Sequence, residues 1–225
     1  MSIRSESIVS DQYYHIYNRG NGKNIIFLDD EDYCRFLKIL YVCNSNIKFN
    51  FRDSLLKRSM DAWEFDQEKT LVDVLAWVLM PNHFHIILTS PSPRQGLGLN
   101  NISVYMQKVS TAYAMYFNKK YKRTGSLFEG KFKSKAILED NYFKYIFAYV
   151  HLNPIKLVQY DWKEKGIKNK DKARDFILNY KFSSFQDYVN NSRTFSKILN
   201  LEVLDGNFKN NHIRELFNWF KNFQP

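Results

Sequence analysis

Two histidines, His83 and His85, stand one residue apart in the apolar segment "MPNHFHIILT" at residues 80–89. In a β-strand alternate side chains share a face, so both imidazoles point one way while Phe84 points the other. Residues two apart in a strand are separated by about 6.6 Å along the backbone, near enough for two rings to converge on one ion. The pair indicates either a metal site or two histidines that form hydrogen bonds on a half-exposed sheet face.

A second group of polar side chains recurs at helical spacing. Tyr145, Tyr149 and Asn153 are four residues apart, which places them near one face of a helix. A phenol attacks efficiently only when a cation lowers its pKa or when the electrophile is activated. A divalent ion on phosphate oxygens supplies that activation by polarising and orienting phosphorus. In a chain with 15 tyrosines, however, such a stripe is also typical of an ordinary packed or exposed helix face.

The remaining histidines are less informative. His15 belongs to the first predicted strand and could face either the site or the core. His151 lies about 200° around its helix from Tyr149, so it is predicted to pack away from the chemistry.

Periodicity and turn residues predict the elements that hold these side chains. Strands are predicted at residues 13–20, 71–80, 83–90 and 130–138, and helices at 29–44, 100–120 and 139–153. The dipeptide Pro81-Asn82 predicts a hairpin between the second and third strands. Residues 44–70 are mixed and polar, and they predict a loop or an excursion that contains a helix.

The order β-α-β-β-α-β predicts an α+β protein with a ferredoxin-like antiparallel sheet and its helices on one face. The third helix ends at Pro154. The residues after it predict a helical extension with a Lys-rich linker, so we divide the chain into a domain at 1–158 and a C-terminal extension at 159–225, packed on or linked to it.

Composition restricts the function classes. The formal net charge of +10 favours a polyanionic partner such as nucleic acid. The longest apolar run, at residues 74–80, is too short to span a bilayer, and the N-terminus has no apolar leader segment. Cys34 and Cys43 have neither metal-ligand nor redox spacing, which predicts reduced cysteines in a cytoplasmic protein.

Basic residues are concentrated between the second helix and the fourth strand. Residues 119–135 hold seven of them against one acid, Glu129. They are Lys119, Lys120, Lys122, Arg123, Lys131, Lys133 and Lys135. The last three alternate, so they predict a track for phosphates on one strand face. Lysines on an exposed edge strand can also serve only to prevent aggregation.

Four segments together resemble the single-tyrosine HUH transposases, and among them the REP-associated tyrosine transposases and related insertion-sequence transposases. The segments are "YHIYNRG…IFLDDEDYCRFL", "LMPNHFHIIL", "GSLFEGKFKSKAI" and "YIFAYVHLNPIKLV", in this order over about residues 13–158, with a weaker match in "YKFSSFQDYV". The stretch at 44–70 is longer than the family leads us to expect.

The resemblance implies an enzyme that cuts and rejoins single-stranded DNA near hairpins through a 5′-phosphotyrosine intermediate. It assigns the nucleophile to Tyr149 and the divalent-ion ligands to His83, His85 and Asn153. It further implies Mg²⁺ or Mn²⁺ as the ion, a homodimer as one possible state, and a nucleoid-associated location. Since imidazole prefers softer metals, Zn²⁺ or Ni²⁺ is expected to bind as a substitute.

Two other functions stay open on sequence grounds. The first is a nucleic-acid-binding module without catalysis, because ferredoxin-like sheets also bind RNA through surface aromatics. The second is a metal-dependent nuclease that activates water, for which Tyr149 would be dispensable.

Overall fold

Four antiparallel strands form one sheet, and their order places β1 and β3 at its centre. In the computed structural model the strands are β1 (Tyr13–Arg19), β2 (Asp73–Met80), β3 (His83–Thr89) and β4 (Lys133–Ile137), in the order β2-β3-β1-β4. Helices α1 (Asp30–Cys43) and α2 (Asn101–Lys120) complete a β-α-β-β-α-β unit. The predicted ferredoxin-like α+β fold is therefore confirmed. The structure describes residues 8–9, 12–47, 61–90, 101–189 and 193–204.

One face of the sheet is closed by α1 and α2. Alternation along β3 directs Phe84, Ile86 and Leu88 to this face, where all three are fully buried. Burial of such a side chain contributes about 1.5–3 kcal/mol. Helix α1 begins at Asp29, whose carboxylate accepts a hydrogen bond from the backbone N–H of Asp32.

The opposite face is covered by a third helix, α3 (Asp140–Leu152). Its side chains Phe143, Ile146 and Phe147 pack with Ile87 of β3 in a second apolar cluster. The prediction of helices on one face therefore holds for α1 and α2, and α3 adds a layer on the other face.

The fourth strand is shorter than predicted. It begins at Lys133 because Gly130 has a φ of 154° and the chain there is held by Asn18, whose Nδ2 donates to the Gly130 carbonyl. Lys131 consequently lies before the strand, and only Lys133 and Lys135 occupy alternate strand positions. This corrects the predicted row of three lysines.

The predicted excursion at 44–70 is described only in part. Ala62–Glu64 forms a single 3₁₀ turn capped by Asp61. Residues 48–60 lie outside the described residues.

The predicted C-terminal extension contains helices α4 (Trp162–Lys165), α5 (Lys170–Asn179) and α6 (Phe185–Val189). It covers the outer edge of β2 through backbone hydrogen bonds. The N–H of Leu79 donates to the Phe182 carbonyl, and the N–H of Ser184 donates to the Trp77 carbonyl, both at 2.9 Å. Farther along, Asn200 donates to Val74, also at 2.9 Å. Contacts thus cross residue 158 at several points.

No helix in the described ranges is long and apolar enough to cross a membrane. Cys34 and Cys43 are both free thiols.

Candidate active site

The paired histidines lie on the face of the sheet that α3 only partly covers. Antiparallel pairing places Tyr17 opposite His85 and Arg19 opposite His83, so these side chains share that face. The ring centres of His83 and His85 are 5.2 Å apart, and the ring planes are nearly perpendicular. The prediction that both imidazoles share a face is confirmed.

A third histidine supports the pair. His15 of β1 faces the site, and its Nε2 lies 2.8 Å from Nδ1 of His85. The Nδ1 of His83 lies 2.6 Å from the amide oxygen of Asn82 in the hairpin turn. Each histidine of β3 is therefore held through Nδ1, which is how imidazole is commonly oriented when Nε2 binds a metal.

Burial keeps these rings neutral. The pKa of His83 is lowered to about 4, chiefly by burial; a hydrogen bond with the Asn153 side chain opposes the shift, and the charges of nearby lysines contribute to it. Burial also lowers the pKa of His15 to about 4 and that of His85 well below its ordinary value. Neutral imidazole is the form that binds metals, so the site is ready for an ion at neutral pH.

Asn153 is the first residue of the 3₁₀ turn Asn153–Leu157 that continues α3, with Pro154 next. Its side chain is buried within hydrogen-bonding reach of His83, whose pKa it raises, but its Oδ1 makes no well-formed hydrogen bond in the described part of the chain. A buried amide oxygen of this kind is rare without an ion or water to satisfy it. The donor set of two imidazoles and one amide oxygen therefore fits a divalent ion whose remaining ligands are water and substrate.

This set relies on an asparagine for its oxygen ligand. Among the described residues, no group of three His, Cys, Asp or Glu side chains could hold a metal.

Tyr149 is the tyrosine of α3 that approaches the histidines. Its ring centre is 5.5 Å from that of His85 and 6.4 Å from that of His15, in edge-on contact with both. The ring is half-buried. Tyr145 lies one turn away along the helix, with a ring centre 6.4 Å from that of Tyr149.

Two lysines near the site were not singled out from the sequence. The Nζ of Lys163 lies 3.8 Å from the ring centre of Tyr149, and both Lys156 and Lys163 lower the pKa of His83 and His85 through their charge. Both side chains are exposed. Lys163 belongs to a run that the sequence marks only as a Lys-rich linker, and no local pattern relates it to a tyrosine fourteen positions earlier.

The predicted DNA-contacting residues separate into two groups. Lys133 and Lys135 of β4 pair with Tyr17 and His15, so both exposed side chains are on the histidine face. Lys131 is exposed just before the strand. The loop between α2 and β4 approaches the same end of the site, because Glu129 forms an ion pair with Arg19.

The second group lies at the end of α2, away from the histidines. Lys120 is ion-paired with three carboxylates at the start of α1, on the closed side of the sheet. The carboxylates are those of Asp29, Glu31 and Asp32, at 2.8, 3.0 and 2.9 Å. Lys119, Lys122 and Arg123 are exposed nearby. We therefore keep Lys120 out of the proposed DNA surface.

His151 packs away from the site, as predicted. It is fully buried, with Nδ1 at 3.0 Å from the Phe147 carbonyl and Nε2 at 2.9 Å from the Ser184 hydroxyl.

Comparison with known proteins supports the fold. No family model and no curated protein matches the chain. Among solved structures, a REP-associated tyrosine transposase bound to a REP hairpin is 16% identical, with a TM-score of 0.50 over 84% of this chain and 86% of that one.

Two other structures score lower. A candidate transposase of Deinococcus radiodurans R1 is 15% identical with a TM-score of 0.35, covering 67% of this chain and 95% of that one. The tRNA(His) guanylyltransferase of Saccharomyces cerevisiae is 12% identical with a TM-score of 0.34, covering 93% and 86%. Scores at this level do not establish a shared fold.

Proposed function

We propose that this chain is a single-tyrosine HUH transposase, which cuts and rejoins single-stranded DNA near hairpins. The observation that carries the proposal is one constellation: Tyr149 in contact with His85, and the buried Oδ1 of Asn153, without a well-formed hydrogen bond, beside His83. Its fold is also that of a transposase bound to a REP hairpin, which supports hairpin-bearing DNA as the substrate.

The metal part of the proposal rests on three side chains. His83, His85 and Asn153 would hold Mg²⁺ or Mn²⁺, and the ion would polarise the scissile phosphate and orient it for in-line attack. His15 acts as a positioning residue. When His85 donates its Nδ1 proton to Nε2 of His15, the lone pair of His85 stays on Nε2, the nitrogen that would bind the ion.

Tyr149 performs the covalent step. Its phenolic oxygen forms a bond to phosphorus as the bond from phosphorus to the 3′ oxygen breaks, and the phenolic proton passes through solvent to the departing 3′-hydroxyl. The ester energy stays in the 5′-phosphotyrosine link, so attack by another 3′-hydroxyl rejoins the strand without ATP. Lys163, against the Tyr149 ring, adds positive charge where the phosphate arrives.

Tyr149→Phe tests the proposal. The substitution removes one oxygen and keeps the ring, so folding, Mn²⁺ binding and DNA affinity should barely change. Strand cleavage and the covalent adduct should disappear together when labelled hairpin-flanked single strands are incubated with Mn²⁺ and resolved on a denaturing gel. Tyr160→Phe, which alters an exposed tyrosine outside the site, is the matched control and should form the adduct like wild type.

Other outcomes would contradict parts of the proposal. Cleavage without an adduct in Tyr149→Phe would show that water is the nucleophile. A wild-type protein that binds hairpins but never cuts them with any divalent ion would be a binding module. An adduct that maps to Tyr145 would place the nucleophile one helical turn away.

A further inference from the structure

Three tyrosines of α3 form a row that leads away from the histidines. Tyr142, Tyr145 and Tyr149 occupy one stripe of the helix. Ring centres of the first two are 6.2 Å apart with planes at 22°, and those of the last two are 6.4 Å apart at 10°. Tyr145 is 41% exposed, and the other two rings are half-buried. We call these three side chains the tyrosine row.

The row lies beside the sheet-facing stripe of its helix. Phe143, Ile146 and Phe147 fill that stripe and pack into the apolar cluster under the sheet. Tyr142 and Tyr149 pack against the rim of this cluster and Tyr145 is exposed, so the nearly parallel rings are displayed along the flank of α3.

Positive charge lies at both ends of the row. The Nζ of Lys135 is 4.6 Å from the ring centre of Tyr142, and the Nζ of Lys163 is 3.8 Å from that of Tyr149. Aromatic rings interleaved with lysines are what proteins use to bind single-stranded nucleic acid, because bases stack on the rings and ammonium groups meet the phosphates.

We propose that the tyrosine row is a base-stacking track for the unpaired strand that runs to the scissile phosphate at Tyr149. The position of the cleaved bond rests on the function proposed above, and the stacking does not. An exposed cation–π contact is weaker than stacking of a base on an aromatic ring. An arriving base therefore displaces the ammonium group of Lys135 from Tyr142, and that group can then pair with a backbone phosphate.

The track recognises single strands rather than a sequence, because every base presents a π-face. It is also confined to unpaired DNA, since bases inside a duplex are already stacked on each other. Tyr142 and Tyr145 thus add affinity for the strand next to a hairpin, and they contribute nothing to binding of the paired stem.

The test measures binding in EDTA, where no strand is cut. The probes are a fluorescein-labelled DNA hairpin with an unpaired tail and the same hairpin without a tail. The double variant Tyr142→Leu/Tyr145→Leu should lose affinity for the tailed probe, by on the order of tenfold for each ring. Its affinity for the tailless hairpin should match that of wild type. Circular dichroism checks that the variant is folded.

Two further variants assign the loss to the rings. Tyr142→Phe/Tyr145→Phe keeps both rings and should recover the affinity for the tailed probe. Tyr160→Leu removes a tyrosine that is 78% exposed but outside the row, and it should bind as wild type does. A 2-aminopurine base in the tail should be quenched on binding to wild type and to the Phe variant, and less strongly on binding to the Leu variant, which keeps only Tyr149 of the row.

The proposal is overturned if the Leu variant binds the tailed probe as tightly as wild type, or if it loses the same factor on both probes. Adduct formation by wild type with Mn²⁺ is scored separately. If the adduct forms and the Leu variant binds normally, the row is wrong and the transposase function stands. If no adduct forms but the tail-specific loss is seen, the track stands and the transposase function is wrong.

Discussion

Two histidines of this protein, His85 and His151, lie in buried surroundings that differ in one respect. His151 uses both ring nitrogens, one on the Phe147 carbonyl and the other on the Ser184 hydroxyl. His85 uses Nδ1 on His15, and its Nε2 has no hydrogen bond within the described part of the chain. His151 therefore has no ring nitrogen left for a ligand, whereas a buried ring held by one nitrogen has the other available to bind one.

The same helix separates the two environments. Tyr149 and His151 are two residues apart on α3, so they point to different sides of it. Tyr149 points to the open histidine site, and His151 points into the contact with the extension. The difference teaches that two equally buried histidines can differ in how many ring nitrogens are satisfied, and that this number, not burial, selects the candidate ligand for the proposed ion.

The largest expected effect is on metal binding. His85→Ala should lower Mn²⁺ affinity by at least about 100-fold, since even loss of an outer partner of a metal ligand commonly costs 10–100-fold. His151→Ala should bind Mn²⁺ as wild type does. Isothermal titration calorimetry on the folded proteins measures both, and equal losses in the two variants would end the distinction between the sites.

The next effect concerns stability in the absence of metal. His151→Ala removes two buried hydrogen bonds and leaves a cavity, so it should lower the free energy of unfolding by about 3 kcal/mol. His83→Ala, at the open site, should lower the free energy of unfolding by less than about 1 kcal/mol, because burying this imidazole has a desolvation cost that offsets part of what its contacts contribute. Urea denaturation in EDTA compares them. A double-mutant cycle with Ser184→Ala should give a coupling energy for His151 that is absent for His83.

A separate effect on stability is expected from pH. Because the folded-state pKa values of His15 and His83 are about 4, below the unfolded value of 6.5, the unfolded state takes up protons first as the pH falls. The metal-free protein should therefore lose stability between pH 6.5 and about 4, by up to about 1.4 kcal/mol per pH unit for each histidine. His83→Gln should reduce this slope in pH-dependent urea denaturation. Parallel curves for the two proteins would mean that His83 titrates normally.

The smallest effect separates the lysines of the open site from those elsewhere. If Lys133 and Lys135 contact phosphates, replacing both with Ala should flatten the slope of log affinity against log salt by about 1.4 for single strands. Adding Lys131→Ala should bring the change to about 2. Lys120→Ala should leave the slope as it is, because that ammonium group is already paired with carboxylates. If Lys120→Ala also flattened the slope of log affinity against log salt, the end of α2 would belong to the DNA-contacting surface.

Local patterns predicted much of this architecture. Alternation in β3 correctly predicted that His83 and His85 share a face with Ile87, and helical spacing predicted that Tyr149 and Asn153 lie on one side of α3. Both are consequences of geometry within a single element. The turn at Pro81-Asn82 joined the two strands as expected.

The contacts between elements could not be predicted in this way. The hydrogen bond between His15 and His85 joins residues 70 positions apart, and it decides which nitrogen of His85 is open. Lys163 reaches Tyr149 only because the extension folds back over α3. The strand β4 starts later than predicted, which removes Lys131 from the row of lysines. This start follows from the backbone conformation of Gly130 and its hydrogen bond with Asn18. Each depends on packing that no periodicity in the sequence records.

The backbone pairing of β2 with the extension has a consequence for how the chain folds during synthesis. Met80, at the end of β2, leaves the ribosome well before Asn200, and the intervening 120 residues take roughly ten seconds to make at usual translation rates. During that time the outer edge of β2 has no partner, and an unpaired apolar strand edge attracts other nascent chains. The hairpin of β2 and β3, which carries His83 and His85, is thus synthesised early, and its outer edge is paired late. Chaperones that shield strand edges are therefore expected to raise the soluble yield of this protein more than slower induction does, and truncation after residue 158 should give aggregates rather than a smaller domain.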